Sequence, residues 1–358
     1  MSLKFKMLAA LGFALSATLI SACGPDGSAS KQTPTAVTVA GQTMGTFYNI
    51  TIPGDYPGGS AQLKQDAEAQ FAQVIDAIST FDKQSEISRF NQRKNSEPMQ
   101  VSTYLAHVIE EVNRQSLRIG GATEISIGPL VNLWGFGTDG RPNKVPTEQQ
   151  IQAAHNYVGM DKYAVRYIGG VAFLEKRDPR VQLDLSTVGE GLGADLVANY
   201  LDSKHIGNYL VSIAGAIRTK GLNPSGKPWR VGIVNPVNPD GQPFAVVCPH
   251  QEAMSTAGSY RNYFVDKATG KRYSHIIDPQ TGHPIDHHTV SVTVIGRNAL
   301  VTDALDTGLM VLGADKALAW GDAQETPIYV IEMQDGKPVG RYNRYFEKYL
   351  KCDTQAAE

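Results

Sequence analysis

Three oxygen-bearing side chains, Asp303, Asp306 and Thr307, stand at i, i+3 and i+4 in the run NALVTDALDTGLMVLG. On a helix that spacing stacks them on one face. The rest of the run is apolar (Ala304, Leu305, Leu309, Met310, Val311, Leu312). Burying two carboxylates there is costly unless something offsets their charge. A hard, oxygen-preferring cation such as Mg2+ or Ca2+ would do so. The other reading is an acidic first turn that favours the helix dipole. Upstream, His275 stands between Ser274 and Ile276 in YSHIIDPQTGHP. At a strand end beside a turn it is a candidate general base and equally a candidate structural histidine. The nearby cations Arg261 and Arg272 could reach phosphate oxygens or form surface ion pairs.

The stretch STVGEGLGAD sets Gly189, Gly191 and Gly193 at alternate positions, with the acids Asp184 and Glu190 flanking the turn. A glycine-rich strand-to-helix turn can cradle a phosphate with backbone N–H groups. No Lys-Ser/Thr follows, so this is not a Walker A loop, and the glycine spacing misses the dinucleotide fingerprint. The flanking acids argue for a site that includes a cation. No G-x-S-x-G elbow is present, which leaves a serine hydrolase unsupported. Oxygen ligands, glycine turns, one histidine and arginines together suit metal-assisted handling of a pyrophosphate.

These residues need elements to hold them. Residues 35–52 alternate and are β-branched, which predicts a strand pair around GQTMGTFYNI. Leu63, Ala67, Phe71, Val74, Ile75, Ile78 and Phe81 recur at helical spacing, predicting an amphipathic helix over 60–81. A second helix is expected near 102–119, closed by Gly120-Gly121. Residues 122–137 read as packed loop and turn. Thr147 and Gln150 form a capping-box pattern for a helix near 147–154. AVRYIGGVAFLEK predicts a hairpin turning at Gly169-Gly170. RVQLDL reads as a strand entering the glycine-rich turn and helix. Short strands then follow through NYLVSIAGAIRTKG, PWRVGIVNP, FAVVCP, AMSTAG and SYRNYFV, and again in TVSVTVIG. Few of them alternate with long helices, so the expected class is α+β with mainly antiparallel sheets and flanking helices.

The chain has 358 residues, 42% hydrophobic and 19% charged, with net charge −2. That balance suits a globular protein and gives no electrostatic reason to expect nucleic acid. At the N-terminus, Lys4 and Lys6 precede an apolar run that ends in LISAC. This reads as a signal peptide over 1–22 with a lipobox, and Cys23 as the lipidated first residue of the mature chain. Several acyl chains, at roughly 0.8 kcal/mol per buried CH2, would anchor it to a membrane surface. Residues 23–36, rich in Gly, Ser, Pro and Thr, form a flexible tether. The globular part, 37–350, would face the bacterial periplasm from the inner or outer membrane. Cys248 and Cys352 lie too far apart in sequence to suggest a disulfide framework, so free, partly buried thiols are expected.

Read in order, GQTMGTFY, SEISRFN, ISIGPLVNLWGFG, LDLSTVGEGLGAD, NYLVSIAGAIRTKG, PWRVGI, STAGSYRNYF, RYSHIIDPQTGHP and TDALDTGLMVLG closely resemble the ApbE family of FAD:protein FMN transferases. The resemblance runs from about Val39 to about Gly313. It implies an ApbE-like, T-fold-like architecture. It also implies an enzyme that binds FAD with Mg2+, splits the pyrophosphate, releases AMP and attaches FMN by a phosphoester to a Thr or Ser hydroxyl. The implied acceptors are flavoprotein subunits of membrane redox complexes, such as sodium-pumping NADH:quinone reductase and its relatives. Matched by motif, Met44, Phe81, Ala122, Thr123, Glu124, Asp184, Glu190 and Ile277 would contact FAD. Thr187, through its backbone carbonyl, would hold the metal with Asp303, Asp306 and Thr307. His275 would activate the acceptor hydroxyl. Three positions depart from the common pattern: Glu190 where many relatives have Lys, Ala216 where some carry an acid, and Ala257 where Ser is frequent. The alternatives within the same chemistry are an FAD pyrophosphatase giving free FMN and AMP, or a non-catalytic FAD-binding lipoprotein.

Overall fold

The computed structural model describes residues 35–140 and 145–352. The expected signal peptide, Cys23 and the expected tether as far as residue 34 lie outside the described residues. The centre of the molecule is an eight-stranded sheet. Its strands are β1 (Ala36–Thr43), β2 (Thr46–Pro53), β3 (Tyr209–Ile213), β4 (Ala216–Lys220), β5 (Ala253–Gly258), β6 (Thr289–Gly296), β7 (Ile328–Gln334) and β8 (Lys337–Tyr342). They lie side by side in chain order, and every neighbouring pair is antiparallel. The α+β class with antiparallel sheets is therefore what the chain adopts.

Eight α-helices are found among the described residues: α1 (Gly59–Ile78), α2 (Glu86–Gln92), α3 (Thr103–Arg118), α4 (Gly128–Leu133), α5 (Glu148–His155), α6 (Gly189–Ser203), α7 (Ala299–Leu312) and α8 (Ala314–Ala323). One face of the sheet is covered by helices. Tyr48, Ile50, Val211 and Ile213 pack on Leu63 and Phe71 of α1 and on Val197 and Leu201 of α6. Further along, Val292, Val294, Ile328 and Val330 pack on Leu305 and Leu309 of α7 and on Ala317 of α8. Alternation in the strands produces this division, since residues one apart point to opposite faces. Ile217, Met254, Ile295 and Ile331 face the other way. They are covered by a hairpin (Val231–Ile233 with Ala245–Val247) and by Phe346 and Tyr349 near the C-terminus.

A second layer lies over the helices. There α2, α3 and a three-stranded sheet (Met99–Gln100, Tyr163–Ile168, Val171–Lys176) share a core with Leu192 of α6 and Ala304 of α7. The hairpin at Gly169-Gly170 and the capping box of Thr147 with Gln150 form as their sequences predict.

Three local expectations are corrected. Residues 122–137 are not loop throughout: they contain a 3-10 turn at Ile125–Ile127 and α4, with its proline in the first turn. Proline lacks an N–H that a helix start leaves unbonded anyway, so it is tolerated there. RVQLDL forms no ladder. Asn91 of α2 replaces a neighbouring strand, accepting from the Leu183 amide at 2.8 Å and donating to the Leu183 carbonyl at 2.8 Å. Cys248 and Cys352 are not free thiols: they form a disulfide across 104 residues, with Cα atoms 5.5 Å apart. The sheet-backing segment and the C-terminal segment meet because the Cys248 amide also donates to the Tyr349 carbonyl at 2.9 Å.

Candidate active site

The predicted acid face is borne by α7, a helix whose other buried residues are apolar apart from Thr302. Its start is set by Asn298, whose side chain accepts from the Val301 amide at 2.9 Å. One turn further on, Asp303 is buried and fully engaged. Its Oδ2 accepts from the Gly191 amide at 2.7 Å, and its Oδ1 accepts from the Ser255 hydroxyl at 2.8 Å. Gly191 opens α6, and a Cβ there would collide with the Ala299 carbonyl and with Asp303. The glycine is therefore required by the close approach of α6 to α7. Asp306 is also buried, and Thr307 donates to its Oδ1 at 3.2 Å. The acids therefore lie inside the helix layer, not on an exposed first turn.

Burial, and then the charge of Glu190, push the Asp303 carboxyl well above its usual range. Burial and then Asp303 do the same to Asp306. Glu190 is raised by burial, partly offset by the Gly215 amide at 3.0 Å and by Arg261. Gly215 sits so close to the Thr256 carbonyl that a side chain there would overlap it. The turn of Ser186–Val188 packs on α7, and the Thr187 hydroxyl is buried without a hydrogen-bond partner. Among the described residues, no three His, Cys, Asp or Glu side chains group as a ligand set. The donors on offer are two carboxylates with hydroxyl and carbonyl oxygens. An oxygen-only set of this kind, with an orphaned hydroxyl and two buried carboxylates held above their usual range, fits a hard divalent cation that keeps positions for phosphate or water.

The flavin residues implied by motif surround this group unevenly. Met44, with φ of 48°, lies over Gly189 and Gly193; added Cβ atoms there would sit 3.6 and 3.0 Å from its Sδ and Cε. Ala122 packs with Leu305 and Leu309. Thr123 donates to the Ala304 carbonyl at 2.6 Å, and Ser116 donates to the Thr123 carbonyl. Glu124 is buried, which raises its carboxyl, and one of its oxygens accepts from the amide and hydroxyl of Ser126, both at 2.9 Å. Asp184 accepts from the Ser186 amide at 2.8 Å, while its own amide donates to Ile125 at 2.7 Å. Segments 122–127 and 184–188 are thereby tied together beside α7.

Other residues stand further out. Ile277 is buried with Leu130 and Trp134. Phe81 is 70% exposed in the loop after α1. His275 follows the strand Arg272–Ser274, and its Nδ1 lies 3.0 Å from the Asn262 carbonyl. A carbonyl only accepts, so neutral His275 carries its proton on Nδ1 and keeps the Nε2 lone pair. Burial lowers its pKa. Its link to the carboxylates is Ile276, which packs in the same cluster as Leu305 and Leu309. Two participants have no counterpart in the sequence reading: Ser255 and, on α6, Asp195. Both occur in quoted motifs. Only a buried-facing serine in the short strand AMSTAG, and an acid closing a glycine-rich run, could have signalled them.

The ApbE family model matches residues 44–331. The FAD:protein FMN transferase of Vibrio cholerae is 42% identical over 301 residues, covering 84% of this chain and 88% of the relative. That of Escherichia coli K12 is 41% identical over 335 residues, covering 93% and 94%. Among solved structures, the flavin transferase ApbE from Vibrio cholerae superposes with a TM-score of 0.79 at 40% identity, covering 88% of this chain and 100% of that one. The apo flavinyl transferase ApbE of Pseudomonas stutzeri gives 0.79 at 32% identity, covering 88% and 97%. With the family's pattern running from Met44 on the β1–β2 turn to Ile331 on β7, this chain belongs to the ApbE family.

Proposed function

We propose that this chain is an FAD:protein FMN transferase that moves FMN from FAD to a Thr or Ser hydroxyl of an acceptor flavoprotein, releasing AMP. The observation that carries the reading is the buried Asp303–Asp306 pair, one turn into α7 and bonded to the opening of α6. A storage protein has no use for two buried carboxylates that are both held well above their usual range, Asp303 by burial and Glu190, and Asp306 by burial and Asp303. Asp303, Asp306, Thr307 and the Thr187 carbonyl would hold Mg2+, which when bound neutralises charge on the pyrophosphate as AMP departs. Met44, Phe81, Ala122, Thr123, Glu124, Asp184, Glu190 and Ile277 would bind and orient the FAD.

In the transfer, the acceptor oxygen forms a bond to the FMN phosphorus while the bond from that phosphorus to the AMP oxygen breaks. The hydroxyl proton passes to His275 Nε2, the nitrogen left basic by the Asn262 contact. Holding acceptor and FAD in line supplies much of the rate, because alignment replaces a bimolecular encounter. The acceptors we infer are subunits of membrane redox complexes. The enzyme would meet them from the periplasmic side while anchored through Cys23.

The test mixes the mature protein with FAD, Mg2+ and a Thr-containing acceptor domain, then measures flavin fluorescence on the denatured acceptor together with AMP. Label and AMP in equal amounts are expected. AMP without label would replace transfer by hydrolysis, and neither product would leave only FAD binding.

A further inference from the structure

Asp195 lies on α6 one turn beyond Gly191 and is 9% exposed. Its Oδ1 accepts from the Ala299 amide at 2.9 Å and its Oδ2 from the Leu300 amide at 2.8 Å. These are the first two amides of α7. The third, Val301, is taken by the Asn298 side chain at 2.9 Å, and the fourth, Thr302, by the Asn298 carbonyl at 3.3 Å. The three amides at the start of α7 that have no carbonyl a turn behind them are thus satisfied, two of them by a side chain from another helix, and the Thr302 bond begins the helix's own ladder. Asp195 also pairs with Arg218 of β4, and the two side chains are each 13% exposed. A single carboxylate therefore joins α6, α7 and the sheet.

The placement concerns the active site because a second contact lies one turn away on each helix. Gly191 stands four residues before Asp195 on α6, and Asp303 stands four residues after Ala299 on α7. The Gly191 amide donates to Asp303 Oδ2 at 2.7 Å. Two contacts separated by a turn on each of two helices fix both the slide and the rotation of α7 against α6. Without the Asp195 contact the first turn of α7 is free to shift against α6, and the register of Asp303 rests on Gly191, Ser255 and apolar packing alone.

We propose that Asp195, oriented by Arg218, is a positioning residue that holds the Asp303–Asp306 pair in register for the cation. The proposal rests on the metal reading above. Residues that orient metal ligands from behind typically change metal affinity about 10- to 100-fold when replaced.

The test uses the full chain as wild type, Asp195→Asn and Asp195→Ala. Mg2+ binding is measured by calorimetry, and hydrogen exchange is followed at the amides of residues 299–303. We expect Asp195→Ala to weaken Mg2+ binding about 10- to 100-fold and to speed exchange across the first turn of α7. Asp195→Asn, which keeps an acceptor oxygen but loses the Arg218 ion pair, should fall between. Where Asp195→Ala does not fold, Asp195→Asn decides by the same two readings. Lower thermal stability with unchanged Mg2+ affinity would make Asp195 a helix cap only and overturn the proposal, as would unchanged exchange. Absence of Mg2+ binding by the wild type would count against the metal reading instead. The exchange measurement needs no metal and would still decide whether Asp195 holds the start of α7.

Discussion

The Asn262 carbonyl beside His275 Nδ1 decides which imidazole nitrogen is basic, and burial decides over which pH range it stays so. Because burial lowers the His275 pKa, the base form persists below the ordinary imidazole value of about 6.5. Transfer should therefore rise with pH through an apparent pKa below that value, then level off. Replacing His275 with Ala should leave FAD binding intact, slow single-turnover transfer about 10²–10⁴-fold and remove this acid limb. An unchanged single-turnover rate would exclude His275 as the base. At this scale the sequence was legible where roles follow from local spacing. Asp303, Asp306 and Thr307 share a helical face, and a face is readable from period alone. Ser255 was not legible, because its partner Asp303 lies 48 residues away and only the fold brings β5 beneath α7.

The contact of α6 with α7 is the element-scale counterpart of those carboxylates. It exists because Gly191 presents backbone where any side chain would strike Ala299. Gly191→Ala should push the helices apart and misplace Asp303. A displacement on the order of 1 Å at a reacting site lowers turnover about 10²-fold, and steady-state AMP release at saturating FAD would measure it. Wild-type turnover in this variant would contradict the account. Several of the helices are readable from apolar period and caps, as the Gly120-Gly121 stop after α3 and the Thr147 cap of α5 illustrate. The extended segment before α6 was misread as a strand for a physical reason. An isolated backbone with the right residue types needs a ladder partner, and here the Asn91 side chain substitutes for one.

For the whole molecule, the sheet keeps chain order from β1 to β8, and the segments inserted between its strands supply the site on the helix-covered face. The opposite face is closed by Phe346 and Tyr349, and the Cys248–Cys352 disulfide holds that closure. Opening a loop of this length should lower stability by about 2–5 kcal/mol. The paired variant Cys248→Ser/Cys352→Ser should show a lower denaturant midpoint while retaining FAD turnover, since neither cysteine lies among the site residues. An unchanged midpoint would show that the apolar packing suffices alone. Sequence could not reveal this bridge, because two cysteines 104 residues apart carry no framework pattern.

The reading as a whole depends on the buried carboxylate pair acting through a bound cation. The direct measurement is AMP release from FAD by wild type and Asp303→Ala across a Mg2+ titration, with chelator added and then overcome by excess Mg2+. Wild-type release should require Mg2+, stop with chelator and return with the metal, and Asp303→Ala should release no AMP at any concentration. Full turnover by Asp303→Ala in metal-free buffer would contradict the account.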